Sequence, residues 1–167
     1  LVISGDSAGA NLSAATIHTL HGDPDAVDGG DLAHVPVRFA GALLYYGVFD
    51  FPLMLKEPLS NSGWVEVAFH RAYLGPNFLA RNSDPIVSPI YSDYLDEFPP
   101  CYLVCGDEDS LLGNTLSMTK ALADVNVPTT LSVVAGFDHT FDYVEHKLDG
   151  VTPEIERIIN WLKRVMA

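Results

Sequence analysis

Positive charge is what this chain has least of. Nine Lys and Arg stand against 22 Asp and Glu in 167 residues, a formal net charge of −13. A surface this acidic repels nucleic acid and anionic membranes, which argues against a partner of either kind. A salt-adapted host produces the same signature, so acidity alone names no activity. Cysteine is nearly absent: Cys101 and Cys105 are the only two. If PCYLVCG is a strand, they stand ~13 Å apart at ~3.3 Å per residue, beyond the roughly 7 Å that a disulfide spans. Both are expected to be free, buried thiols, with no sign of an oxidising compartment.

Long apolar runs are missing as well. None reaches the roughly 18 residues of a membrane span, and no basic segment leads into a short apolar one as in a secretory signal. The chain opens at Leu1 inside a strand pattern. The natural N-terminus is therefore expected upstream, and the default localisation is cytoplasmic. Internal repeats and low-complexity segments are absent too. What remains is globular composition, 48% hydrophobic and 19% charged, in a length that suits one domain with a sizeable core.

The pattern along the chain alternates. Residues 1–4 read as the end of a buried strand. Ala8 to about Leu20 reads as a helix, with Leu12, Ala15, Ile17 and Leu20 as candidate core positions. Residues 21–34 are rich in Gly, Asp and Pro and read as loop. Phe39–Tyr46 is a continuous apolar run, expected for a strand buried on both faces. Residues 65–74 predict a short helix, and 84–92 an extended, packed loop. Strands are expected at 101–105 and 129–135, and a helix at Asn114–Val125. A closing helix is expected over Glu154–Met166, entered at Pro153, with Ile155, Ile158, Ile159, Leu162 and Val165 on one face. Strands alternating with helices predict an α/β fold with a mostly parallel sheet, flanking helices and right-handed crossovers.

The strongest local signal is Gly5-Asp6-Ser7-Ala8-Gly9, between a strand and a helix. This is the G-x-S-x-G pattern of a nucleophile elbow. The turn is tight enough that side chains at the two glycines are expected to clash. It presents the serine Oγ above the sheet, near the helix N-terminus and the backbone N–H of Ala8, both suited to negative charge. The plain alternative is a glycine-rich turn without chemistry.

A serine hydroxyl needs a base. His139, in GFDHTF directly after the last strand, lies at the same sheet edge as the elbow, because the carboxyl ends of parallel strands share one edge. His18 and His21, spaced i, i+3, suggest a metal site only weakly, with no carboxylate or cysteine cluster beside them. His34, His70 and His146 read as surface or structural residues. The imidazole also needs an orienting carboxylate. Asp107, Glu108 and Asp109 follow strand 101–105, and spacing alone does not choose among them. The order Ser, acid, His is that of α/β-hydrolases.

GDSAGANLS (5–13), DPIVSP (84–89), FPPCYLVCGDED (98–109) and GFDHTF (136–141) resemble the hormone-sensitive-lipase-like esterases. The motifs occur in that branch's order and cover nearly the whole chain. The resemblance implies the α/β-hydrolase fold and makes residues 1–167 the C-terminal part of one catalytic domain. It implies a carboxylic-ester hydrolase acting on short to medium acyl esters through a Ser7–Asp109–His139 triad. Asp109 is chosen as the last acid of the G-x-x-D motif, and Ala8 supplies an oxyanion N–H. Asp6 and Asp84 are supporting candidates around the triad; for Asp84 a simple turn role before Pro85 weighs equally. Phe51, Trp64, Phe69 and Phe141 are candidates for an acyl pocket, though plain core is the commoner fate of aromatics.

The resemblance implies a small-molecule ester as partner and no metal or organic cofactor; it leaves a homo-oligomer open. Two departures stand out. Ala10 replaces the glycine that ends the elbow motif, with some narrowing of the site expected. The branch's His-Gly-Gly-Gly oxyanion motif does not occur in these 167 residues and is expected upstream. The isolated chain is accordingly expected to be inactive or very weak. An amidase or peptidase of the same fold, or a non-catalytic ligand-binding relative, are the rival readings.

Overall fold

The computed structural model describes residues 1–22, 37–54, 71–76, 78–143 and 148–167. Four strands form one sheet in the order β1-β2-β3-β4: β1 (Val2–Asp6), β2 (Gly41–Tyr45), β3 (Cys101–Gly106) and β4 (Thr129–Val134). Every pairing is parallel. Helix α1 (Ala8–Gly22) follows β1, and the short helices α2 (Phe51–Met54) and α3 (Phe78–Arg81) lie between β2 and β3. Helix α4 (Leu112–Asp124) links β3 to β4, and α5 (Leu148–Val165) closes the chain. This is the α/β architecture that the alternation predicts. The central strand β3 is buried along its whole length, whereas β1 and β4, each paired on one side among the described residues, are partly exposed.

Strand geometry divides the core. Successive side chains point to opposite faces, so Ala42, Leu44, Cys101 and Leu103 pack with Ala10, Ala14 and Ile17 of α1 and Met118 and Leu122 of α4. Leu43, Tyr102 and Val104 pack with Ile158 and Trp161 of α5. In α1 the residues against the sheet are small: Ala10, Ser13, Ala14 and Ala15 are buried with Ile17. Expected core residue Leu12 is instead 54% exposed, and Leu20 is half-buried. Small side chains let a helix lie close to a sheet, and that shifts the buried stripe away from Leu12.

The closing helix departs further from expectation. It starts at Leu148, with Pro153 inside it rather than at its entry. Its buried face is Glu154, Ile158 and Trp161, at the i, i+4, i+7 spacing of one helix face. Leu162 and Val165 lie partly buried beside them, but Ile155 and Ile159 are exposed. Two side chains turn the helix this way. Trp161 meets Tyr102 edge-on, ring centroids 5.5 Å apart. Glu154 accepts hydrogen bonds from Tyr102 Oη (2.8 Å) and Ser132 Oγ (2.6 Å) and pairs with Arg157 (3.1 Å). A buried carboxylate is tolerated when its oxygens are satisfied in this way.

Between β2 and β3 the chain is held by side-chain to backbone bonds. Asn11 Nδ2 donates to the carbonyls of Val48 (2.6 Å) and Val87 (2.8 Å). Asn114 Oδ1, fully buried, accepts from the N–H groups of Phe49 (2.9 Å) and Asp50 (2.7 Å). Residues 84–92, expected to be extended, form turns and a 3₁₀ helix at Pro89–Tyr91. The N–H groups of Val87 and Ser88 bond back to the Asp84 carbonyl. Of the helix expected at 65–74, residues 71–74 are described, and they are helical.

Candidate active site

Three loops leave the carboxyl ends of β1, β3 and β4 and meet at one edge of the sheet. The first turns so sharply that Ser7 has φ 50°, a left-handed backbone that non-glycine residues adopt only where the surroundings enforce it. Its N–H is anchored on the carbonyl of Tyr45 at 3.0 Å, and its carbonyl accepts from Ala10 N (3.1 Å). Gly5 is obligatory here: a Cβ would stand 2.2 Å from the Gly9 carbonyl oxygen. Gly9 differs from expectation. The nearest atom to a Cβ there is Asp6 Oδ1 at 4.0 Å, so a side chain would have room. Ala10 is fully buried in the core under the elbow; its methyl does not face the site, contrary to the narrowing expected.

The second loop carries Asp109. Its carboxylate is wholly buried, with Oδ1 accepting from the N–H of Leu111 at 2.7 Å. Asp107, by contrast, faces out and accepts from Gly136 N–H at 2.6 Å. Gly106 permits the third loop to approach: a Cβ there would lie 2.1 Å from the carbonyl oxygen of Phe137. That carbonyl accepts from Glu108 N at 3.0 Å.

The third loop places His139 between the other two. Its Nδ1 lies 2.8 Å from Asp109 Oδ2, and its Nε2 lies 3.0 Å from Ser7 Oγ. With Asp109 ionised, Nδ1 carries the proton and donates to it, leaving Nε2 to accept from the serine hydroxyl. The hydrogen bond to Asp109 raises the His139 pKa above its ordinary value against the opposing effect of burial, and the charges of Asp109, Asp138 and Asp142 add to the rise. Ala8 is the first residue of α1, where N–H groups have no intrahelical acceptor.

Not every candidate joins this cluster. Asp84 accepts from Ile86 N–H (3.1 Å) and pairs with Arg81 (3.1 Å), both local bonds of its own turn. Asp6 is half-buried beside Ser7, and its charge raises the pKa of the Tyr143 hydroxyl. Phe51 packs with Leu74 and Val87 in a small separate cluster. Phe141 is 1% exposed, packed on Tyr46 and Phe137 behind His139. Trp64 and Phe69 lie outside the described residues, as do His34, His70 and His146. His18 Nδ1 is 2.8 Å from Ser92 Oγ, and the His18 ring packs against Tyr94.

Sequence reasoning passed over Tyr46. It is fully buried, its hydroxyl donates to Asp142 Oδ1, and its ring meets that of His139 edge-on at 4.7 Å. The available signal was its position, at the carboxyl end of the strand next to the nucleophile strand.

Residues 1–143 match the family model of the alpha/beta hydrolase fold. Similar solved structures include carboxyl esterase 2 from the mycorrhizal fungus Tuber melanosporum, with TM-score 0.74 and 19% identity. A hormone-sensitive lipase from a metagenome library gives 0.71 and 22%, and an esterase of the bacterial hormone-sensitive lipase family 0.75 and 20%. In each case 99% of this chain is covered, against 54%, 53% and 53% of the other. The chain thus spans about half the length of these structures.

Proposed function

This chain belongs to the α/β-hydrolase family, and from that premise we propose that it carries the catalytic groups of a hormone-sensitive-lipase-like carboxylic-ester hydrolase acting on short to medium acyl esters. The observation that carries the reading is the unbroken line Ser7 Oγ, His139 Nε2, His139 Nδ1, Asp109 Oδ2, at 3.0 and 2.8 Å. Ser7 Oγ attacks the ester carbonyl as His139 Nε2 takes its proton. Asp109 stabilises the imidazolium, and the Ala8 N–H faces the developing oxyanion. His139 then gives the proton to the leaving alcohol, which departs and leaves an acyl-Ser7. Water, deprotonated by His139, attacks that ester; its collapse frees the acid and returns the proton to Ser7. The resembled branch draws further oxyanion donors from a His-Gly-Gly-Gly motif, which residues 1–167 do not contain.

A fluorophosphonate probe tests this on the complete natural protein. Covalent labelling at Ser7, absent in Ser7→Ala, is expected. Matched p-nitrophenyl ester and anilide substrates separate an esterase from an amidase of the same fold. An unlabelled Ser7 would favour a non-catalytic ligand-binding relative.

A further inference from the structure

We propose that Tyr46 and Asp142 are a positioning pair that sets the distance between His139 and Ser7; the idea rests on the esterase reading above. The residue pair 45–46 reaches both partners at once. The Tyr45 carbonyl holds Ser7 N–H at 3.0 Å. The next residue, Tyr46, holds the histidine loop, since its hydroxyl donates to Asp142 Oδ1 across 96 residues of chain. Tyr46 is itself fixed: it is 0% exposed, and its N–H donates to the Val104 carbonyl at 2.7 Å. Ser7 and His139 are thereby referenced to one dipeptide at the carboxyl end of β2.

Two further observations point the same way. Four non-glycine residues among those described have left-handed φ: Ser7 (50°), Tyr46 (34°), Thr140 (58°) and Asn126 (64°). Asn126 follows the end of α4, an ordinary place for such a residue. The other three are the nucleophile, the tyrosine and the residue after His139. Left-handed conformations at bulky residues cost free energy and cluster where function requires them. The histidine loop, moreover, is tied differently on its two sides. Upstream of His139, Gly136 N–H and the Phe137 carbonyl bond to the acid loop at 2.6 and 3.0 Å. Downstream, the Tyr46–Asp142 bond ties the loop to the sheet.

The bond from Nδ1 to Asp109 fixes one end of the imidazole. The Tyr46 ring, 4.7 Å away at an interplanar angle of 65°, limits its swing about that end. An Nε2 displaced by tenths of an ångström loses its grip on Oγ, and about 1 Å can cost 10²-fold in rate.

The test uses the complete protein and four variants: Tyr46→Phe, Asp142→Ala, Asp142→Asn and the double Tyr46→Phe/Asp142→Ala. Tyr46→Phe keeps the ring and removes the donor. Its kcat on p-nitrophenyl butyrate is expected to fall roughly tenfold with KM little changed, the rate equivalent of one charge-assisted hydrogen bond. Asp142→Ala should match it, and the double variant should be no worse than either single, as for groups that act as one unit. Asp142→Asn keeps an acceptor oxygen and should regain most of the loss. The downfield proton resonance of His139 Nδ1–H should broaden in Tyr46→Phe and Asp142→Ala and stay sharp in Asp142→Asn. Wild-type kcat in Tyr46→Phe, additive losses, or a failed asparagine rescue would overturn the pairing. If Tyr46→Phe does not fold, the two Asp142 variants decide. If the wild-type protein hydrolyses no ester and resists the fluorophosphonate, the esterase reading falls, and the resonance still decides whether the pair positions His139.

Discussion

Replacing Asp109 by Asn changes one atom, and the structure specifies the consequence. The carboxylate has two obligations: Oδ1 accepts from Leu111 N–H at 2.7 Å, and Oδ2 accepts from His139 Nδ1–H at 2.8 Å. An amide has one acceptor. If its oxygen serves Leu111, its NH₂ faces Nδ1, which must then be the acceptor. The proton moves to Nε2, where it points at Ser7 Oγ and blocks the base. If the amide flips, two donors oppose each other at Leu111 in a wholly buried place, at a cost of about 1–3 kcal/mol. The first arrangement wins, and it holds the wrong tautomer. The expected loss in kcat is on the order of 10⁴-fold, as for the equivalent change in trypsin-like triads, or ~5 kcal/mol of barrier. Folding should survive, because the side-chain volume is unchanged. Hydrolysis of p-nitrophenyl butyrate by the complete protein measures the loss, with Asp107→Asn as comparison. Asp107 uses one exposed oxygen to bind Gly136 N–H, a bond that asparagine can make. Equal losses in the two variants would refute the assignment of the acid.

Other outcomes follow from the same geometry. Because the mechanism requires neutral His139 and Asp109 raises its pKa, kcat/KM should fall on acidification with an apparent pKa above 6.5; a profile flat to about pH 4 would sink the mechanism. Gly5→Ala should abolish folding, since its Cβ would meet backbone atoms at 2.2–2.8 Å, whereas Gly9→Ala should fold normally; thermal melts of the two variants compare them. Asn11→Ala strips the hydrogen-bond donors from two carbonyls, those of Val48 and Val87, and should lower stability by roughly 2–4 kcal/mol in urea titration.

The sheet and its two long connecting helices were legible because periodicity reports burial directly: β3 is apolar throughout and buried throughout. The closing helix was legible as a helix but not in its orientation. Glu154 reads as a surface charge, and the partners that bury it, Tyr102 and Ser132, are 52 and 22 residues away. Ser7, Asp109 and His139 could be singled out because topology sends their three loops to one edge, and the choice of Asp109 over its acidic neighbours needed the family resemblance. Tyr46 was not singled out, its place at the carboxyl end of a strand being its one signal. In an apolar run a tyrosine looks like core, and neither its left-handed backbone nor its bond to Asp142 leaves a local trace. Gly9 shows the reverse error, a motif glycine credited with a steric need that the backbone does not impose.

Cys101 and Cys105 sit towards opposite ends of β3, an inner strand paired on both sides and buried along its length. Burial closes both to solvent and pushes their pKa values up to about 12. A thiol in that condition reacts with a disulfide reagent only when its part of the sheet opens. The pair is thus a built-in clock of opening. In the regime where reclosing is fast, labelling rates report opening free energy, and at saturating reagent they report the opening rate itself. Cys105 lies at the end that leads into Asp109, and Cys101 at the far end. Whichever is modified first identifies the end of β3 that frays first.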